Sequence, residues 1–188
     1  MIKKTVALIF AILLCFPIFL SAREISDVEI PESLNYEGVP LVLNGAGIRS
    51  KFFMDVYVSA LYLEIKSQDA DMILRDDKPM GIRLHIVSGL VDAEKLKDAI
   101  SDGFDQSTGG NIDPIKSQIS QFMAIMGENV VKGDFFDFIY LPDVGLKVYK
   151  NTAYTEDIKG LNFKRAFFGI WLGDDPADDD LKEEMLGL

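Results

Sequence analysis

Ten consecutive residues, VYVSALYLEI from Val56 to Ile65, restrict the fold more than any other part of the chain. The run is rich in β-branched and aromatic residues, which favour strands. A strand with one wet face alternates apolar and polar residues. This one carries apolar side chains at both parities, so it must be covered on both faces. Ile48–Phe53 pairs with it as the preceding strand.

The rest of the chain follows the same signals. Val28–Ile30 predicts a short edge strand, and Leu34–Tyr36 and Val39–Leu43 flank a hairpin turn at Glu37-Gly38. Asp69–Arg75 predicts a short helix, and Met80–Val87 another strand. Leu96, Ala99, Ile100 and Phe104 recur at helical spacing after Asp92. Ile112, Ile115, Ile119, Phe122, Met123 and Met126 form a second stripe with Asn111 as its N-cap, after a break at Gly109-Gly110. Strands return at Asp134–Leu141, Leu146–Tyr149 and Ala153–Ile158, and helices at Phe163–Gly173 and Asp178–Leu186. Strand groups separated by helix groups predict an α+β fold, an antiparallel sheet with helices on one side.

The 188 residues fit one domain behind a leader. Lys3 and Lys4 precede an apolar run from Val6 to Leu20, and LSA ends at Ala22, the pattern of a cleaved secretory signal. The run contains Pro17 and falls short of the roughly 20 residues that span a bilayer. Cys15 would suggest lipoprotein processing, but Leu14 stands where a small residue is expected. The expected organisation is a signal peptide at 1–22, a single domain at 23–188, and a periplasmic or secreted protein with no stable membrane anchor. The leader carries two lysines and no acids, so the mature chain has a net charge of −13. That disfavours nucleic acid and anionic membrane surfaces as partners.

The only cysteine leaves with the leader, so no disulfide, thiolate nucleophile or cysteine metal site is expected. His85 is the only histidine. It alternates with Ile82, Leu84 and Ile86 and reads as a strand histidine hydrogen-bonded to a neighbour, not as a catalytic group. NGAGIR lacks the third glycine and the following helix of a dinucleotide loop, so its glycines are expected to serve a tight turn or a close backbone approach. DDPADDD, Asp174–Asp180, lacks calcium-loop spacing, and its acids suit a helix N-terminus. No metal or cofactor is expected. The many Phe and Met residues, with Trp171, fit either a packed core or the lining of a slot for an alkyl chain or flat ring.

Arg49 is the candidate site residue. On its strand it shares a face with Lys51 and Phe53, and if that face meets Tyr57 on the next strand, a guanidinium and a phenol converge. Together they offer parallel charge-assisted hydrogen bonds and one further donor to a carboxylate.

GAGIRSKFFMDVYVSALYLE, GDFFDFIYLPDVGLKVYKN and FKRAFFGIWLGDDPADDDLKEEMLG together resemble the chalcone isomerase-like proteins and are close to an exported bacterial branch. The resemblance runs from about Val39 to the C-terminus. It implies an open-faced β-sandwich, a large antiparallel sheet backed by a layer of helices with a cleft between them. Plant enzymes of this family close a chalcone to a flavanone, their equivalent arginine stabilising an enolate. Non-catalytic members bind fatty acids through that arginine and a tyrosine on the next strand, which Arg49 and Tyr57 match. Where the enzymes place a tyrosine and an asparagine, this chain has Lys95 and Asp102, and Phe163–Gly173 carries no Ser or Thr. The resemblance therefore implies a non-catalytic binder of a fatty acid or similar amphipathic carboxylate, with Arg49 and Tyr57 on the head group and the Phe, Met and Trp residues around the chain. The alternative is an isomerase acting on a chalcone-like enone, with Arg49 as its catalytic residue.

Overall fold

Val56–Leu63 forms most of a strand with a partner on each side. The computed structural model describes residues 23–127 and 129–188; the predicted leader lies outside them. Nine strands and five helices follow in chain order: β1 Arg23–Ile25, β2 Val28–Ile30, β3 Ser33–Tyr36, β4 Val39–Lys51, β5 Met54–Leu63, α1 Ala70–Arg75, β6 Met80–Ile86, α2 Ala93–Ser107, α3 Lys116–Ile125, β7 Phe135–Leu141, β8 Gly145–Lys150, β9 Ala153–Ile158, α4 Leu161–Leu172 and α5 Asp179–Leu186. β3 to β9 make one antiparallel sheet in sequential order, and β1 and β2 form a separate hairpin.

The double parity of β5 has a direct cause. Tyr57, Leu61 and Leu63 face the helices, while Val58, Ala60 and Tyr62 belong to a second apolar cluster on the other face with Leu41, Leu43 and Ile139. That second face also buries an ion pair. Arg83 holds Asp137 through two hydrogen bonds of 2.6 and 2.7 Å, and the Tyr36 hydroxyl donates to the same carboxylate. Asp137 is fully buried, so its charge is tolerable only because these donors satisfy it.

The helix layer is built around α4, almost entirely buried. Phe104, Phe122, Phe138, Phe163, Phe167 and Trp171 pack ring against ring at centroid distances of 5.0 to 6.4 Å. Lys164 sits fully buried within this layer, its ammonium donating to the backbone oxygens of Ile73, Leu74 and Asp76 at 2.6, 3.0 and 2.9 Å. Those carbonyls end α1, so the lysine caps one helix from inside another.

Three local expectations are corrected. Val39–Leu43 and the first four residues of Ile48–Phe53 belong to one strand, β4, continuous through bulges at Leu43/Gly45 and Arg49/Ser50. Phe52 and Phe53 lie in the β4–β5 turn, not in the strand. The helix expected from Asn111 is a 3-10 turn at Asp113–Ile115 followed by α3, because Pro114 fits only an opening turn.

Candidate functional site: the Arg49–Tyr57 pocket

Arg49 and Tyr57 are directly paired across β4 and β5, so their side chains share the helix-facing side of the sheet. The bulge beside Arg49 is the kind of irregularity that re-aims a side chain. Asn44 occupies the other bulge and fixes the strand from its far end. Its amide donates to the Ser67 and Met185 oxygens and accepts from the Ser67 N–H, all at 2.8 to 2.9 Å.

The two glycines before Arg49 answer the question of the GxG. A Cβ on Gly45 would stand 2.2 Å from the Glu184 carbonyl oxygen, and one on Gly47 would stand 1.8 Å from Glu184 Oε2. Helix α5 lies against β4 at this point. The glycines serve a close backbone approach, one of the two roles expected. The acids of DDPADDD contribute at the other end of that helix, where Asp178 accepts from Leu181 N at 2.9 Å as its N-cap.

Tyr57 is 3% exposed, and its hydroxyl is the centre of the site. Trp171 Nε1 donates to it at 3.0 Å and Arg49 Nη1 at 3.5 Å. Both lone pairs are thereby engaged, which leaves the tyrosine's own proton to donate. Burial raises its pKa, against a smaller lowering by Arg49, so it is a neutral donor at neutral pH. The Arg49 guanidinium also stands 5.7 Å from the Tyr57 ring centroid. Among the described residues, no carboxylate forms an ion pair with it. The site therefore holds a part-buried cation and a hydroxyl proton, both free to meet an anion.

These donors line a cavity of about 510 Å³ between the sheet and α2. Its apolar walls come from Met54, Val56, Leu90, Val91, Leu96 and Ala99. Lys95 and Asp102, noted from the sequence, both reach it. Lys95 is engaged with Asp92 at 3.2 Å and the Leu90 carbonyl at 2.8 Å, which pins the loop forming one wall. Apart from Tyr57, the buried core aromatics do not line this cavity. Of the Phe, Met and Trp side chains expected around a ligand chain, Phe52 and Met54 line it and the core phenylalanines and Trp171 do not; the other apolar walls are aliphatic.

Trp171 reads in sequence as one more core aromatic; nothing in its spacing marks it as the residue that orients Tyr57. The Ser88–Val91 loop likewise carries no motif. His85 contacts a cross-strand neighbour, but by stacking where a hydrogen bond was expected: its ring lies 5.0 Å from that of Phe135. Among the described residues no cluster of His, Cys, Asp or Glu could hold a metal ion.

A family model described as chalcone isomerase-like matches residues 22–187. The chain belongs to that family. No curated protein matches the sequence. Among solved structures it is similar to a fatty-acid binding protein of Arabidopsis thaliana, at 17% identity and a TM-score of 0.68, over 86% of this chain and 92% of that one. At this identity the likeness establishes the fold, the α+β sheet-and-helix architecture that the sequence predicted.

Proposed function

We propose that this chalcone isomerase-like protein is a non-catalytic binder of a fatty acid or similar amphipathic carboxylate. The observation that carries the reading is the pairing of two unspent donors, the Arg49 guanidinium and the Tyr57 hydroxyl proton, with an aliphatic cavity of about 510 Å³. A carboxylate takes the donors and an acyl chain takes the walls. The Arabidopsis neighbour, named as a fatty-acid binding protein, supports the same ligand class. Export through the leader at 1–22 is part of the proposal, and N-terminal sequencing of the mature protein tests it.

Isothermal titration of palmitate against wild type and Arg49→Met is the test of the ligand. Binding by wild type that falls at least tenfold in the variant supports the proposal, since a hydrogen bond to a charged group contributes about 1.5–3 kcal/mol. Absence of binding, or equal binding by both, removes it. The same two donors would also suit the enolate oxygen of a cyclising chalcone. Turnover of a chalcone above its spontaneous rate, lost in Arg49→Met, would select the isomerase instead.

A further inference from the structure

The turn between β4 and β5 consists of Phe52 and Phe53, beside the mouth of the Arg49 pocket. Both have positive φ, 52° and 65°, the pattern of a type I′ hairpin whose usual residues are Asn and Gly. Bulky side chains are strained in that region. Three other two-residue turns have positive φ at both positions, and they read Ser26-Asp27, Glu37-Gly38 and Asn151-Thr152. The Phe-Phe turn recovers nothing through packing. Phe52 is 80% and Phe53 106% exposed; Met54 next to them is 46% exposed, and Leu90 across the mouth 57%. Phe52, Met54 and Leu90 form the rim of the cavity, and Phe53 stands outside it.

We propose that this rim docks on a lipid surface, with the Phe52-Phe53 turn inserted so that the pocket mouth opens onto the acyl layer. Lys51, its ammonium 5.8 Å from the Phe52 ring, flanks the apolar tip. Two rings with an adjoining cation fit the boundary between acyl chains and phosphates, where a long basic side chain extends back toward the head groups. The whole chain carries a net charge of −11, so the attachment is apolar and its surface is zwitterionic lipid, not an anionic one. A protein partner fits less well. Two phenylalanines supply roughly 150–250 Å² each, below the roughly 800 Å² that each side gives to a stable interface. The ligand reading above enters only as what would pass through the mouth; docking itself does not depend on it.

Flotation with phosphatidylcholine vesicles tests the proposal. Wild type floats with the vesicles and continues to do so in high salt. Phe53→Gly, which places glycine at a positive-φ position and so relieves strain, loses at least roughly tenfold in partitioning. Phe53→Trp still floats, and the introduced indole shifts its emission to the blue on addition of vesicles. Palmitate affinity in lipid-free solution stays at the wild-type value in Phe53→Gly, whereas Arg49→Met loses that affinity and still floats. The two halves therefore fail separately. Wild type that remains in the vesicle-free fraction overturns the docking proposal, and so does Phe53→Gly floating as wild type does. Self-association in sedimentation velocity that Phe53→Gly abolishes would assign the tip to a second copy and overturn it as well.

Discussion

Tyr57 shows how one hydroxyl joins stability to recognition. Its oxygen satisfies Trp171 Nε1–H in the core and Arg49 at the pocket, while its proton faces no acceptor among the described residues. Tyr57→Phe removes the acceptor of the Trp171 donor, a residue 2% exposed. The expected loss is about 1–3 kcal/mol of unfolding free energy in urea titration. Palmitate affinity should also drop, because Arg49 remains but its companion donor is gone. A variant that lost stability with unchanged affinity would reduce Tyr57 to a support for Trp171. The sequence showed that Arg49 and Tyr57 could meet, since face and parity are local properties. It could not show Trp171, because the contact spans 114 positions and rests on how α4 is turned.

Helices in this fold are held by neighbours at their ends and by glycines where they touch strands. Gly45 and Gly47 look alike in GAG, yet their surroundings differ. A Cβ at position 45 meets backbone oxygens of Glu184 and Met185, which cannot move aside without moving α5. At position 47 it meets the Glu184 side chain, which can swing away and forfeit the 3.2 Å bond from Ile48 N. Gly45→Ala should therefore cost about 2–3 kcal/mol and Gly47→Ala about 1 kcal/mol, by chemical denaturation. Lys164 is the second device. Burial, then the nearby Arg165, lower its pKa from 10.5 to about 8. At pH 7 it is charged and caps α1, so Lys164→Met should lose about 3 kcal/mol by stranding three carbonyls. Between pH 8 and 10.5 the unfolded chain keeps a proton that the folded chain has released. Stability that depends on Lys164 therefore rises with pH through this window, and the gap to Lys164→Met widens. A gap that narrowed would mean that the folded ammonium holds its proton more tightly than the free side chain. The helices themselves were legible from their stripes and caps. The capping of α1 by a lysine 88 to 91 residues later was not, because sequence periodicity carries no long-range partner.

At the scale of the molecule, the sheet divides two faces: the helix side holds both the aromatic core under α4 and the pocket toward α2, and the other side holds a second apolar cluster with the Arg83–Asp137 pair. The sequence predicted the sheet and its helix layer, with core packing as the default for the aromatics and a slot lining left open. Composition counts rings without saying what they touch. The geometry separates them, and the separation has a measurable consequence. Phe122 is fully buried among Phe104, Phe138, Phe163 and Phe167 and does not line the pocket. Phe122→Leu should lower unfolding free energy by about 1 kcal/mol and leave palmitate affinity within twofold of wild type. Val91→Ser, on the pocket wall, should do the reverse, weakening affinity with little change in stability because Val91 is only half-buried without ligand. Equal effects of both substitutions on affinity would mean that the ligand chain reaches the aromatic layer, and that the core opens when the pocket fills.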